Sequence, residues 1–263
     1  MSPVVPIAVY GAGGRMGQAV LRLAFDDPRV AVVAAIVREG AAEIGARLRD
    51  RSADVVRYTT TLDASVAPAV LIDFSVAGAF DDALALALGR RIAFVSGTTG
   101  LSEHQHAALR DASKTIAVLS SANFSIGVAV LDRLVRDAAR ALEEWDCEIV
   151  EAHHRHKKDA PSGTALALGR AVADARGVDF GHVAEHARAT GAREDASAIG
   201  FASVRAGDIV GEHTVLFAGR GERVELVHRA TDRTIFARGA LRGAAWIAGR
   251  PAGTYALSDM IGA

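Results

Sequence analysis

Residues 6–20 read PIAVYGAGGRMGQAV, and the fold turns on this stretch. Residues 6–11 form the short apolar run of a buried strand. Residues 15–25 carry the periodicity of a helix that begins inside the glycine-rich turn. Gly11, Gly13, Gly14 and Gly17 lie where the two meet. Glycines there let the chain turn tightly and bring backbone N–H groups at a helix N-terminus against a pyrophosphate. The spacing departs from G-x-G-x-x-G, because Met16 stands at the last glycine position; Gly11, Gly14 and Gly17 make a GxxGxxG variant instead. A βα turn without a ligand would use the same residues. A place at the head of an alternating strand–helix pattern favours the nucleotide.

Outward from this turn the alternation continues. Apolar runs at 30–37, 69–75, 92–97 and 116–121 read as strands, with helical patterns at 78–88 and 102–113. Continuous apolar strands joined by helices predict a parallel sheet covered on both faces. Residues 45–61 carry no decisive pattern. Beyond Asn123 the rhythm changes: 126–144 predicts a long amphipathic helix, 147–153 a strand, and 164–175 a helix with Ser162 as its cap. Residues 177–197 have weak periodicity and are expected to form a long loop. Three consecutive strand-like runs follow, AIGFASVRA, GEHTVLFAG and ERVELVHRA, then the helical TIFARGALRGAAWIAGR. The expectation is an α/β, doubly wound parallel sheet plus a second α+β domain with a mixed sheet.

Composition narrows the function classes. A net charge of −1 offers no field for nucleic acid, and no apolar run approaches the roughly 20 residues that span a bilayer. The single cysteine, Cys147, cannot form an internal disulfide, and the opening residues lack the marks of a secretory signal. A soluble, cytoplasmic protein is expected.

The strand ends supply further candidates. After the second strand comes AAIVREG, where an acidic residue would hold the ribose of NAD; Arg38 there suits a 2′-phosphate, or is an ordinary surface arginine. SGTTG offers Gly97, Thr98 and Thr99, and SSANFS offers Asn123 and Phe124 to frame a nicotinamide, although turns use such residues anyway.

The densest chemistry lies in EAHHRHKKDAPSGTA, residues 151–165. The chain has only three lysines, and Lys157 and Lys158 are two of them. Lysine can be tuned to release a proton near neutrality, whereas arginine cannot. In an extended segment His153 and His154 point to opposite faces and take different tasks. Gly163 and Thr164 open a helix whose first amides suit a carboxylate or phosphate. Three histidines raise the question of a metal, but no partner spacing accompanies them and the lysines would repel a cation. A polar loop with a helix cap explains any one of these residues, though not all of them together.

This segment, with GAGGRMG, SGTTG, ANFS and GFASVRAGDIVGEHTV, resembles the dihydrodipicolinate reductase family over nearly the whole chain. The resemblance implies a Rossmann-type dinucleotide-binding domain from 1–124 plus 235–263. It implies a substrate-binding and oligomerisation domain from 125–234, assembled as a homotetramer. The implied reaction is NAD(P)H-dependent reduction of 4-hydroxy-tetrahydrodipicolinate, a dicarboxylate, in the diaminopimelate route to lysine. His153 and Lys157 fall on the proton-transferring positions, and His154, Gly163, Thr164 and Arg233 on substrate-holding ones. Gly11, Ala12, Gly13, Gly14, Arg15, Met16, Gly97, Thr98, Thr99, Ser121, Ala122, Asn123 and Phe124 match the cofactor-binding stretches. One departure matters: the family pattern Glu-Arg at the second strand reads Val37-Arg38 here, so NADPH is expected to serve better than NADH. Val76 stands where some relatives carry an arginine near the cofactor. Two rivals share parts of this reading, a dehydrogenase of another small carboxylate and a regulator that senses NADP(H) without chemistry. The proton donors His153 and Lys157 speak against the second.

Overall fold

The computed structural model describes residues 3–48, 56–186 and 197–262. Its chain divides into two compact units, Met1–Ile126 with Thr234–Ala263, and Gly127–Arg233.

In the first unit, β1 (Val5–Tyr10) leads into α1 (Arg15–Ala24) and then β2 (Val30–Ile36) and the short β3 (Tyr58–Thr59). After β4 (Val70–Asp73), a single 3-10 turn opens α2 (Phe80–Arg90), and β5 (Ala93–Ser96), α3 (Glu103–Ala112) and β6 (Ala117–Ser120) follow. The strands pair in the order β12-β6-β5-β4-β1-β2-β3, where β12 is Gly253–Tyr255, and every recorded neighbour is parallel. Burial on both faces explains the unbroken apolar runs: Ile7, Ala8, Val9, Val70, Leu71 and Ile72 are fully buried. Helix α3 starts on a capping box between Ser102 and Gln105. The order reverses between β1 and β4, and at such a switch point the carboxyl ends of the strands open a crevice for ligands.

The second unit runs through α4 (Ile126–Ala141), β7 (Asp146–His153), α5 (Gly163–Arg176), α6 (Phe180–Val183), β8 (Ala184–Glu185), β9 (Ile199–Arg205), β10 (Gly211–Gly219) and β11 (Glu222–Ala230). Its sheet has the order β11-β10-β7-β9-β8, mixed in sense: β7, β8 and β9 are parallel, whereas β10 runs against both β7 and β11. Alternation along β7 buries Cys147 and Ile149, which pack with Val135 of α4, Leu168 and Val172 of α5, Ile199, Val215 and Phe217. The first unit is completed by α7 (Thr234–Ile247), β12 and α8 (Leu257–Ile261).

Residues 177–186 correct the expected long loop. Gly177 ends α5 in a left-handed conformation, Asp179 caps α6 by accepting from the His182 amide, and Ala184–Glu185 joins the sheet. Four-residue helices and two-residue strands are too short to leave a periodic pattern. Residues 187–196 of that expectation lie outside the described residues. No helix among the described residues is long and apolar enough to cross a membrane.

Candidate active site

The nucleotide candidates of the first unit lie on turns after strands of the parallel sheet, except Arg15 and Met16, which open α1. Gly11 has φ +73°, and a Cβ there would stand 2.9 Å from the Phe74 carbonyl oxygen. A Cβ on Gly17 would run into the Gly11 carbonyl, so turn and helix approach more closely than a side chain allows. Gly14 caps α1 without a side-chain hydrogen bond, and no acidic residue stands in the first turn. Ala12 is buried, its amide donating to Ile36 O at 2.9 Å, whereas Gly13, Gly14 and Arg15 are exposed and Met16 half-buried. Gln18 Nε2 braces the turn by donating to Ala12 O at 3.0 Å and to Tyr58 Oη at 2.8 Å.

Val37 is buried and Arg38 exposed. Asp73, wholly buried, accepts at Oδ2 from the Ser96 and Thr98 hydroxyls, each at 2.8 Å, and its carbonyl accepts from the Gly97 amide at 2.9 Å. Thr98 therefore turns its hydroxyl inward, while Thr99 is exposed. Ser121 Oγ donates to Asn123 O at 2.8 Å and Ala122 is exposed. The Phe124 ring is only 1 % exposed and packs edge-on against Phe74, so it presents no ring face to frame a nicotinamide. A helix start without a side-chain cap, behind a glycine turn whose residues 13–15 are exposed at a switch point, fits a dinucleotide.

In the second unit the core face of β7 turns polar at its end. Glu151 and His153, two residues apart, share that face with Ser203 and Arg205 of β9 and His213 of β10, which pair with them in register. His153 Nδ1 lies 2.5 Å from Glu151 Oε2. Arg205 grips the same carboxylate with both terminal nitrogens, at 2.8 and 2.7 Å, and also donates to Asp159 O at 2.6 Å. The Ser162 amide donates to Glu151 Oε1 at 3.2 Å. Burial alone would raise the Glu151 pKa, but hydrogen bonds from Arg205, Ser203 and His153 outweigh it and hold the carboxyl at about 2.

Ser162 Oγ accepts from the Ala165 amide at 3.1 Å, capping α5, and lies 3.1 Å from His213 Nε2. Burial, aided by the nearby His153, pushes His213 down to about 4, so it is neutral at physiological pH. The His153 and His213 rings meet edge to face at 5.2 Å. His154 diverges from His153: it is half-buried and held below its ordinary value by desolvation and then by the charges of Arg233, His156, His153 and Lys157. Lys157 Nζ lies 2.9 Å from Asp159 Oδ2, and that hydrogen bond lowers the Asp159 pKa. His153, His154, Lys157, Arg233 and the start of α5 at Gly163–Thr164 thus belong to one unit. Among the described residues no three His, Cys, Asp or Glu side chains are grouped to hold a metal.

Residues 5–124 match the family model described as dihydrodipicolinate reductase, N-terminus, and residues 127–261 match that of its C-terminus. The chain belongs to the dihydrodipicolinate reductase family. Among curated relatives, the 4-hydroxy-tetrahydrodipicolinate reductase of Xanthomonas euvesicatoria pv. vesicatoria is 49 % identical over 259 residues, covering 98 % of each chain. That of Halorhodospira halophila is 47 % identical, covering 97 % of this chain and 98 % of its own. A solved dipicolinate-bound dihydrodipicolinate reductase from Paenisporosarcina sp. TG-14 superposes with a TM-score of 0.76 at 21 % identity, covering 97 % and 98 % of the two chains, a likeness of fold.

Within this dihydrodipicolinate reductase family member, Glu151, Arg205 and His213 are the residues that reading along the chain missed. Glu151 was within reach, because it alternates with His153 on one strand. Arg205 and His213 sit more than fifty residues away in sequence, and only the strand register brings them to the cluster.

Proposed function

We propose that the chain reduces 4-hydroxy-tetrahydrodipicolinate to tetrahydrodipicolinate, with loss of water, in the cytoplasmic diaminopimelate route to lysine. The observation that carries this reading is the cluster at the end of β7. There a histidine held by a buried, Arg-clamped carboxylate shares a short segment with a lysine and a capped helix start. A bound reduced nicotinamide supplies the hydride. Gly11–Met16, Gly97–Thr99 and Ser121–Phe124 hold this nucleotide, with Arg38 toward a 2′-phosphate. His154, Arg233 and the first amides of α5 at Gly163 and Thr164 hold the substrate carboxylates.

Loss of the 4-hydroxyl as water leaves a conjugated ring, and hydride arrival there leaves negative charge that a positioned acid must neutralise. Lys157 delivers that proton. Glu151 accepts from His153 Nδ1, which fixes the ring so that its other nitrogen exchanges protons at the site. Purified protein coupled to dihydrodipicolinate synthase should consume NADPH only when the synthase turns over, with a higher kcat/KM than with NADH. No turnover of fresh synthase product, together with activity on another keto or imino acid, would assign a different substrate. Equal or better kcat/KM with NADH would end the NADPH preference.

The face of the mixed sheet away from α4 and α5 supports assembly. Val150, Thr214 and Val227 lie in one row across β7, β10 and β11, and Val150, Val204 and Val227 are 40, 45 and 41 % exposed. We propose that this face joins subunits of a homotetramer. Light scattering should give four times the 27.4 kDa chain mass, and a monomer at micromolar concentration would refute the assembly.

A further inference from the structure

Position 37 directly follows β2, where an acidic side chain ordinarily accepts from the adenosine ribose of a dinucleotide. Here it is Val37, 4 % exposed and without an acceptor. A carboxylate nevertheless reaches the spot. A Cβ built on Gly13 would stand 3.4 Å from Val37 Cγ1 and 3.5 Å from Glu43 Oε1, so both side chains converge on one exposed residue of the nucleotide turn.

The segment after β2 doubles back to achieve this. The Ala41 amide donates to Arg38 O at 3.2 Å and the Ala46 amide to Glu43 O at 2.9 Å. The Gly45 amide then donates to Tyr58 O at 2.9 Å, and the Tyr58 amide to Ala46 O at 3.1 Å, pinning the segment to β3. Tyr58 Oη receives the Gln18 amide that also holds Ala12 O, so the frame that fixes Glu43 is the one that braces the glycine turn. Glu43 is half-buried, and among the described residues its carboxylate has no hydrogen-bonding or ion-pair partner. A carboxylate partly withdrawn from water with no protein donor gains most from a ligand that brings one.

We infer that Glu43 accepts a hydrogen bond from the 2′-hydroxyl of the adenosine ribose, replacing the acidic residue that position 37 lacks, and so keeps NADH a usable cofactor beside NADPH. This rests on the dinucleotide reading of the first unit. Arg38 attracts a 2′-phosphate and Glu43 favours a 2′-hydroxyl, so the pair sets the ratio between the two nucleotides.

The test is fluorescence titration of the full chain and of Glu43→Ala with NADH, NADPH and NADH lacking the adenosine 2′-hydroxyl. The unaltered chain should bind NADH roughly tenfold or more tightly than this deoxy analogue, the scale of a hydrogen bond to a charged group. Glu43→Ala, which leaves no acceptor, should bind NADH roughly tenfold more weakly, lose discrimination against the deoxy analogue, and hold NADPH within about twofold or more tightly. If the variant weakens NADH and NADPH equally, or neither, Glu43 is not the ribose acceptor. If the unaltered chain binds no reduced nucleotide at all, the dinucleotide reading itself falls. Glu43 sits on a surface turn, and matching thermal melts of the two proteins exclude a folding defect as the cause.

Discussion

Lys157→Ala should lower kcat at least about a hundredfold, and Lys157→Arg should not restore it. Both outcomes follow from what the side chain can do. Alanine removes charge and proton together. Arginine keeps the charge but does not release a proton near neutrality. A Lys157 that merely held a substrate carboxylate would be replaced well by arginine, and its loss would raise KM while sparing kcat. Neither change should harm the fold, because Lys157 is outside the hydrophobic core and its recorded ion pair is with the exposed side chain of Asp159. His153→Ala should also cost about a hundredfold or more in kcat. Steady-state kinetics on the coupled substrate, with circular dichroism to verify folding, decide the matter. A KM-only effect in both alanine variants would move these residues from proton transfer to binding.

The parts of this protein that could be read along the chain are those whose physics is local. An apolar run buried on both faces is recognisable wherever it occurs, which is why β1, β2, β4, β5 and β6 stand within a residue or two of their expected places. Ser162 and the helix behind it were legible for the same reason, since a cap acts within three residues. The short strands β3 and β8 were not, because pairing with a neighbour creates them rather than their own periodicity, and the four-residue α6 is too short to show a period. The candidate site divides likewise. His153, His154 and Lys157 advertise themselves by crowding. Glu151 was within reach through its alternation with His153, but Arg205 and His213, which flank it, depend on strand register. The acid missing from position 37 misleads in the opposite way, since a sequence pattern cannot show Glu43 folding back to the same place.

Arg205→Met should destabilise the protein by about 3 kcal/mol at neutral pH and flatten its acid sensitivity below pH 4.5. Glu151 is 1 % exposed at its side chain, and Arg205 supplies two of its hydrogen bonds. Removing one partner of a buried pair leaves a stranded charge at a cost of roughly 3–5 kcal/mol, and the lower end applies because the Arg205 side chain keeps 19 % exposure. The pH dependence follows from two depressed groups. Glu151, at about 2 in the folded chain against an ordinary 4.5, contributes stability that is whole above pH 4.5 and is lost as the pH falls toward 2. His213, at about 4 against 6.5, is protonated first in the unfolded chain, so stability also falls as the pH drops from 6.5 to 4. The unaltered protein should therefore weaken continuously from about pH 6.5 downward, first through His213 and then through Glu151. Without Arg205 the Glu151 carboxyl loses the largest of the groups that lower its pKa. The slope below pH 4.5 should then shrink, while the slope set by His213 between 6.5 and 4 persists. Urea unfolding at pH 7.5, 5.5, 4 and 3 separates the two limbs. If Arg205→Met instead matches the unaltered protein at pH 7.5 and retains the full loss below 4.5, the clamp on Glu151 contributes nothing, and the histidine it holds must be positioned by other means.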